Sequence, residues 1–118
     1  MVRTKTGVSL DNTHQRIFLA IAIAAKLWEA HGVDLVITGA NETGHHTNPD
    51  PTKQFHRLPD GSCKAVDLRS WNLPPTLRSQ MLTDLRKALG PGYDVLYERP
   101  GEQGEHYHIE WDPKEGTR

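Results

Sequence analysis

The stretch Glu105-His106-Tyr107-His108-Ile109-Glu110-Trp111 decides how the rest of the chain is read. Tyr107, Ile109 and Trp111 alternate with polar residues, the period-two pattern of a half-buried strand. Successive side chains of a strand leave on opposite faces, so His106, His108 and Glu110 share one face and the three apolar residues the other. Two imidazoles side by side suit a metal better than a dry core. Alternating His also occurs incidentally at exposed sheet edges, so the remaining ligands must come from elsewhere in the chain.

Reading backwards, residues 99–104 (Arg-Pro-Gly-Glu-Gln-Gly) form a turn that returns from a preceding strand at residues 93–98. Before it, Leu77, Met81, Leu85, Ala88 and Leu89 recur at helical spacing; Asn72, Pro74 and Pro75 open this helix and Gly90-Pro91 ends it. Residues 63–69 read as a strand with Val66 and Leu68 on one face and Ala65 and Asp67 on the other. An acidic residue in mid-strand is disfavoured unless something requires it there. Residues 40–62 are a long polar loop rich in Asn, Pro, Gly and His, and loops of that length in small domains are commonly functional.

Residues 33–38 form another strand, and an Ala- and Ile-rich helix precedes it. Asp11, Asn12 and Thr13 offer N-caps and Gly32 stops it just past His31. Its body is apolar on most sides, which predicts little solvent exposure. The apolar run at residues 17–25 follows basic residues as a secretory signal does, but it is too short to span a bilayer and helical periodicity continues beyond it. It reads as a buried helix. Residues 1–10 read as an irregular polar lead-in. The expected fold is α+β: one domain over residues 1–118, with a mainly antiparallel sheet backed by two helices.

Composition narrows the function classes. With 118 residues there is material for one hydrophobic core. The net charge of −1 and the scattered basic residues argue against binding by phosphate neutralisation, and so against a nucleic-acid partner or a nuclease. Cys63 is the single cysteine, so there is no disulfide framework, and a small buried thiol is the expected role. The polar residues without a structural reason are His56, Asp67, Glu105, His106 and His108, with His45 and His46 further from the pattern. Nitrogen and oxygen ligands of this kind suit a catalytic zinc that keeps one position open, and equally suit iron.

At these residues the chain resembles the zinc D-Ala-D-Ala carboxypeptidases and L-alanyl-D-glutamate endopeptidases of bacteria and phages. Their first motif, Ser-x-His-x-x-Gly-x-Ala-x-Asp, is similar to His56-Arg57-Leu58-Pro59-Asp60-Gly61-Ser62-Cys63-Lys64-Ala65-Val66-Asp67. Their second, an acidic residue three before a His, is similar to Glu105-His106-Tyr107-His108. Val36-Ile37-Thr38-Gly39 followed by Gly44-His45 is similar to the approach to the first motif, and Leu89-Gly90-Pro91-Gly92-Tyr93-Asp94-Val95 fits small phage-encoded members. Two departures stand out: Gln54 occupies the place of the Ser, and the gap from His56 to Asp67 is longer than the family's.

The resemblance implies a hedgehog/DD-peptidase-like fold. It implies His56, Asp67 and His108 as zinc ligands and Glu105 as general base, with His106 and Arg57 as candidates for stabilising the oxyanion. The reaction implied is hydrolysis of a peptidoglycan stem-peptide bond by metal-activated water, as in a phage endolysin acting at the cell wall, monomeric and without a membrane partner. His106 remains an alternative ligand to His108, and His45 or His46 to His56. On an ideal strand Glu105 and His108 face opposite ways, so the base role needs Gly104 to provide a bulge that re-aims the carboxylate. A non-catalytic, metal-stapled binding or virion-structural domain is the competing class.

Overall fold

A computed structural model describes residues 1–40 and 62–112 of the chain. The alternating stretch forms strand β5, His106–Trp111, an inner strand of a five-stranded sheet. The other strands are β1 (Val2–Thr4), β2 (Leu35–Gly39), β3 (Ala65–Arg69) and β4 (Tyr93–Glu98), in the spatial order β1-β2-β3-β5-β4. Every pairing is antiparallel except β1 with β2. Helix α1 (Gln15–Glu29) and helix α2 (Arg78–Leu89) share one apolar core with the sheet. The architecture is α+β, a mostly antiparallel sheet with two helices. No helix among the described residues is long and apolar enough to cross a membrane.

The core follows from the two periodicities. From α1 come Ile17, Ala20, Ile21, Ala24 and Trp28, at the spacing of a single helical stripe. Met81, Leu85 and Leu89 supply the buried stripe of α2. The sheet contributes Leu35, Ile37, Val66, Leu68, Val95, Tyr107 and Ile109. Trp28 meets Tyr107 edge to face with ring centroids 5.7 Å apart, and Tyr97 lies beside Tyr107 at 4.9 Å. Each large side chain buried in this layer contributes roughly 1.5–3 kcal/mol.

Four local expectations are corrected. Residues 2–4 are a strand rather than an irregular lead-in: β1 pairs parallel with β2 and Arg3 reaches Asp34 at 2.9 Å. A segment so short and exposed carries no periodic signal, and the ladder to β2 supplies its order. Helix α1 starts later than the Asp11, Asn12 or Thr13 caps imply. Asn12 takes a left-handed turn (φ 51°) and residues 12–14 are drawn into backbone bonds with Cys63, leaving His14 as the cap. Nor is α1 sheltered on most sides, since Phe18 and Leu19 are each about half exposed. Finally, Asn72 does not cap the second helix; its side chain donates to the Asp34 carbonyl at 3.0 Å, and a 3-10 turn at Pro75–Leu77 leads into α2. Helix α1 ends at Glu29, two residues short of His31, and Gly32 closes the following turn with φ 69°, which a glycine adopts without the cost borne by other residues.

Candidate metal centre

Register decides which polar residues meet. Between β3 and β5, Asp67 pairs with His108 and Arg69 with His106. Between β4 and β5, Leu96 pairs with His108 and Glu98 with His106. Because Val66, Leu68, Tyr107 and Ile109 fill the helix-covered face, these partners stand on the other one.

His108 Nδ1 lies 2.8 Å from Asp67 Oδ1, and its Nε2 lies 3.3 Å from Glu110 Oε1. Both acceptors are carboxylates, so in the metal-free protein the ring can donate from both nitrogens. Burial by itself pulls the His108 pKa down, but the bonds to Asp67 and Glu110 and their charges outweigh it and push it up to about 9. His106 is held differently. Its Nδ1 donates to the Gly104 carbonyl at 2.7 Å, and a carbonyl can only accept, so the neutral ring keeps its lone pair on Nε2. That nitrogen is 3.8 Å from both Asp67 Oδ1 and Glu98 Oε1.

Asp67 and His108, two of the three ligands that the motifs imply, are an oxygen and a nitrogen donor in direct contact with each other. That donor set fits zinc in type. The third, His56, lies outside the described residues, as do Arg57, His45 and His46. Among the described residues no three His, Cys, Asp or Glu side chains form a ready metal cage. Cys63 is fully buried and its thiol donates to the Ala65 carbonyl at 3.1 Å, a packing role.

Glu105 stands apart from the histidines. Its backbone follows Gly104 (φ 85°), yet the carboxylate stays with the core-side residues. Ser70 Oγ donates to Oε2, the Gly101 N–H donates to Oε1 at 2.8 Å, and Arg78 Nη1 approaches Oε1 at 3.5 Å. Burial raises its pKa, but hydrogen bonds from Ser70, Gly101 and Tyr97 together with the Arg78 charge bring it below the ordinary glutamate value. Gly104 does not produce the re-aiming bulge; the base role would require the carboxylate to leave these partners.

Several participants are invisible in the motifs. Glu98 and Glu110 belong to neither motif, yet both flank the imidazoles. Glu110 carried a signal, the period-two phase that it shares with His106 and His108, whereas Glu98 arrives only through the β4–β5 register. Ser70 and Arg78, which hold Glu105, carry no local signal at all. Compared with family models, curated proteins and solved structures, the chain matches none.

Proposed function

We propose that the protein is a zinc-dependent peptidoglycan peptidase with a hedgehog/DD-peptidase-like fold, cutting a D-Ala-D-Ala or L-Ala-D-Glu bond of the stem peptide at the cell wall. The observation that carries this reading is the Asp67–His108 contact across β3 and β5, made between the last residue of one motif and the last residue of the other. His56 would complete the ligand set. When bound, zinc would supply an electrophile and bring the pKa of water towards 7.

The chain's own residues would do the rest. Glu110 would orient His108 through Nε2, as carboxylates commonly orient ligand imidazoles, while the metal would take the place of the proton that Nδ1 shares with Asp67. Two residues compete for proton transfer. The resemblance implies Glu105, which would first have to release Ser70, Gly101 and Arg78. His106 needs no such movement: its Nε2 lone pair lies on the ligand face, and Gly104 fixes its tautomer. We assign proton transfer to His106 and read Glu105 as the brace of the turn that presents it.

The test is digestion of purified sacculi by the zinc-loaded protein, with mass analysis of the released peptides. New D-Ala, or new L-Ala and D-Glu ends, support the reading. Intact sacculi would favour the competing class, a metal-stapled binding or virion-structural domain, to which the engaged state of Glu105 lends some support.

A further inference from the structure

We propose that Arg69, braced on Trp71, forms an anion-recognition subsite beside the Asp67–His108 pair and takes a carboxylate carried on the residue that follows the cleaved bond. The inference rests on the peptidase reading and adds the charge class of its substrate.

Arg69 shares the strand face of Asp67 and stands opposite His106. Its guanidinium carbon lies 4.3 Å from the centroid of the Trp71 ring, and Trp71 is 55% exposed, unusual for a residue of that size. Among the described residues, Arg69 Nε is buried without a hydrogen-bond partner. Arg78 and Arg86, by contrast, are tied to backbone carbonyls. Arg78 donates to Leu73 and Trp71 carbonyls at 3.0 and 2.8 Å, and Arg86 donates twice to the Val95 carbonyl. The carboxylates nearest Arg69 by register are turned to the histidines: Asp67 to His108, and Glu98 to His106.

An arginine stacked on an aromatic ring has its fork pre-oriented, and its planar donors match a carboxylate better than any other common group. The brace is itself fixed, because Arg78 holds the Trp71 carbonyl while its Nη1 faces Glu105. Spacing sets where the carboxylate must be. Two residues along a strand advance by about 6.6 Å, so the Arg69 backbone lies about that far along β3 from Asp67. The α-carboxylate oxygens of the residue after the scissile carbonyl are about 3–5 Å from that carbonyl carbon, and the long Arg69 side chain can span the rest of the distance. Both a C-terminal D-Ala and the α-carboxylate of D-Glu meet this description, so the subsite recognises the charge and does not choose between the two bonds.

The experiment uses the zinc-loaded full chain and three variants, Arg69→Ala, Arg69→Lys and Trp71→Phe. N-acetyl-D-alanine and N-acetyl-D-alaninamide are titrated while the Trp71 indole N–H resonance, identified by its loss in Trp71→Phe, is followed. Hydrolysis is then measured on diacetyl-Lys-D-Ala-D-Ala and N-acetyl-L-Ala-D-Glu, each against its analogue amidated after the bond. Wild type should prefer the acid at least about tenfold; Arg69→Ala should erase the preference and Arg69→Lys restore part of it. For the substrate that is cut, Arg69→Ala should raise KM about 10–100-fold with kcat nearly kept, as for loss of a charged hydrogen bond. Equal binding of acid and amide by wild type, no response of Trp71 to the acid, or unchanged discrimination in a folded Arg69→Ala protein would each overturn the subsite. Acid preference through Arg69 without any hydrolysis would leave the subsite standing and remove the peptidase reading. Hydrolysis without acid preference would do the reverse.

Discussion

Asp67 Oδ1 and His108 Nδ1 meet at 2.8 Å although the two residues lie 41 positions apart, because β3 and β5 pair in a register that sets them side by side. A one-residue slip would put one of them among the core side chains. The two halves of the candidate site are therefore as secure as the apolar packing of Val66, Leu68, Tyr107 and Ile109 beneath them.

Zinc should stabilise the fold through this pair. At a free zinc concentration a hundred times its dissociation constant, binding adds about 2.7 kcal/mol, which for a domain of this size is on the order of 10 °C in Tm. Scanning calorimetry with zinc and with a chelator should show that difference. Asp67→Ala should lose it. An unchanged melting curve on removing all metal would count against the centre.

Proton transfer should follow His106. His106→Ala is expected to keep zinc and lose about 10²–10⁴-fold in turnover on cell-wall peptides. Glu105→Gln should act chiefly on stability, costing roughly 1–3 kcal/mol because buried donors lose a charged acceptor. Steady-state kinetics beside denaturant melts separate the two. If Glu105→Gln folds as well as wild type and alone abolishes turnover, the roles are exchanged.

The pKa of Glu105 is depressed in the folded state, so the stability that its carboxylate contributes is present above the ordinary glutamate pKa. It is lost as pH falls through the lower, folded value. Metal-free wild type should therefore be more stable than Glu105→Gln at neutral pH, and the gap should close on acidification. Melts of both proteins from neutral to strongly acidic pH would expose a constant gap, which contradicts the bonding described for this carboxylate.

Gly104 occupies the left-handed region at φ 85° with Arg99 Nη1 3.1 Å from where a Cβ would sit, and its carbonyl holds His106 Nδ1. Gly104→Ala should cost about 1–2 kcal/mol, the penalty of that backbone for an L residue. It should also loosen the His106 tautomer. Nitrogen-15 shifts of the His106 ring would then show a mixed proton position, whereas an unchanged ring would mean that the tautomer is set elsewhere.

Much of the domain was legible locally. Alternation in residues 105–111 and helical spacing in Leu77, Met81, Leu85 and Leu89 report which face of an element is buried, and that information sits within a few residues of chain. The same parity placed His106, His108 and Glu110 together, and the cost of a mid-strand carboxylate singled out Asp67. Pairing is another matter. The strand order β1-β2-β3-β5-β4, the strand at residues 2–4 and the meeting of Glu98 with the histidines depend on contacts between distant segments, which no local pattern encodes. Glu105 shows the division most sharply. Its sequence position beside two histidines suggests a catalytic carboxylate, but its direction is decided by Ser70, Arg78 and Gly101, donors from three separate segments that only the folded chain assembles around it.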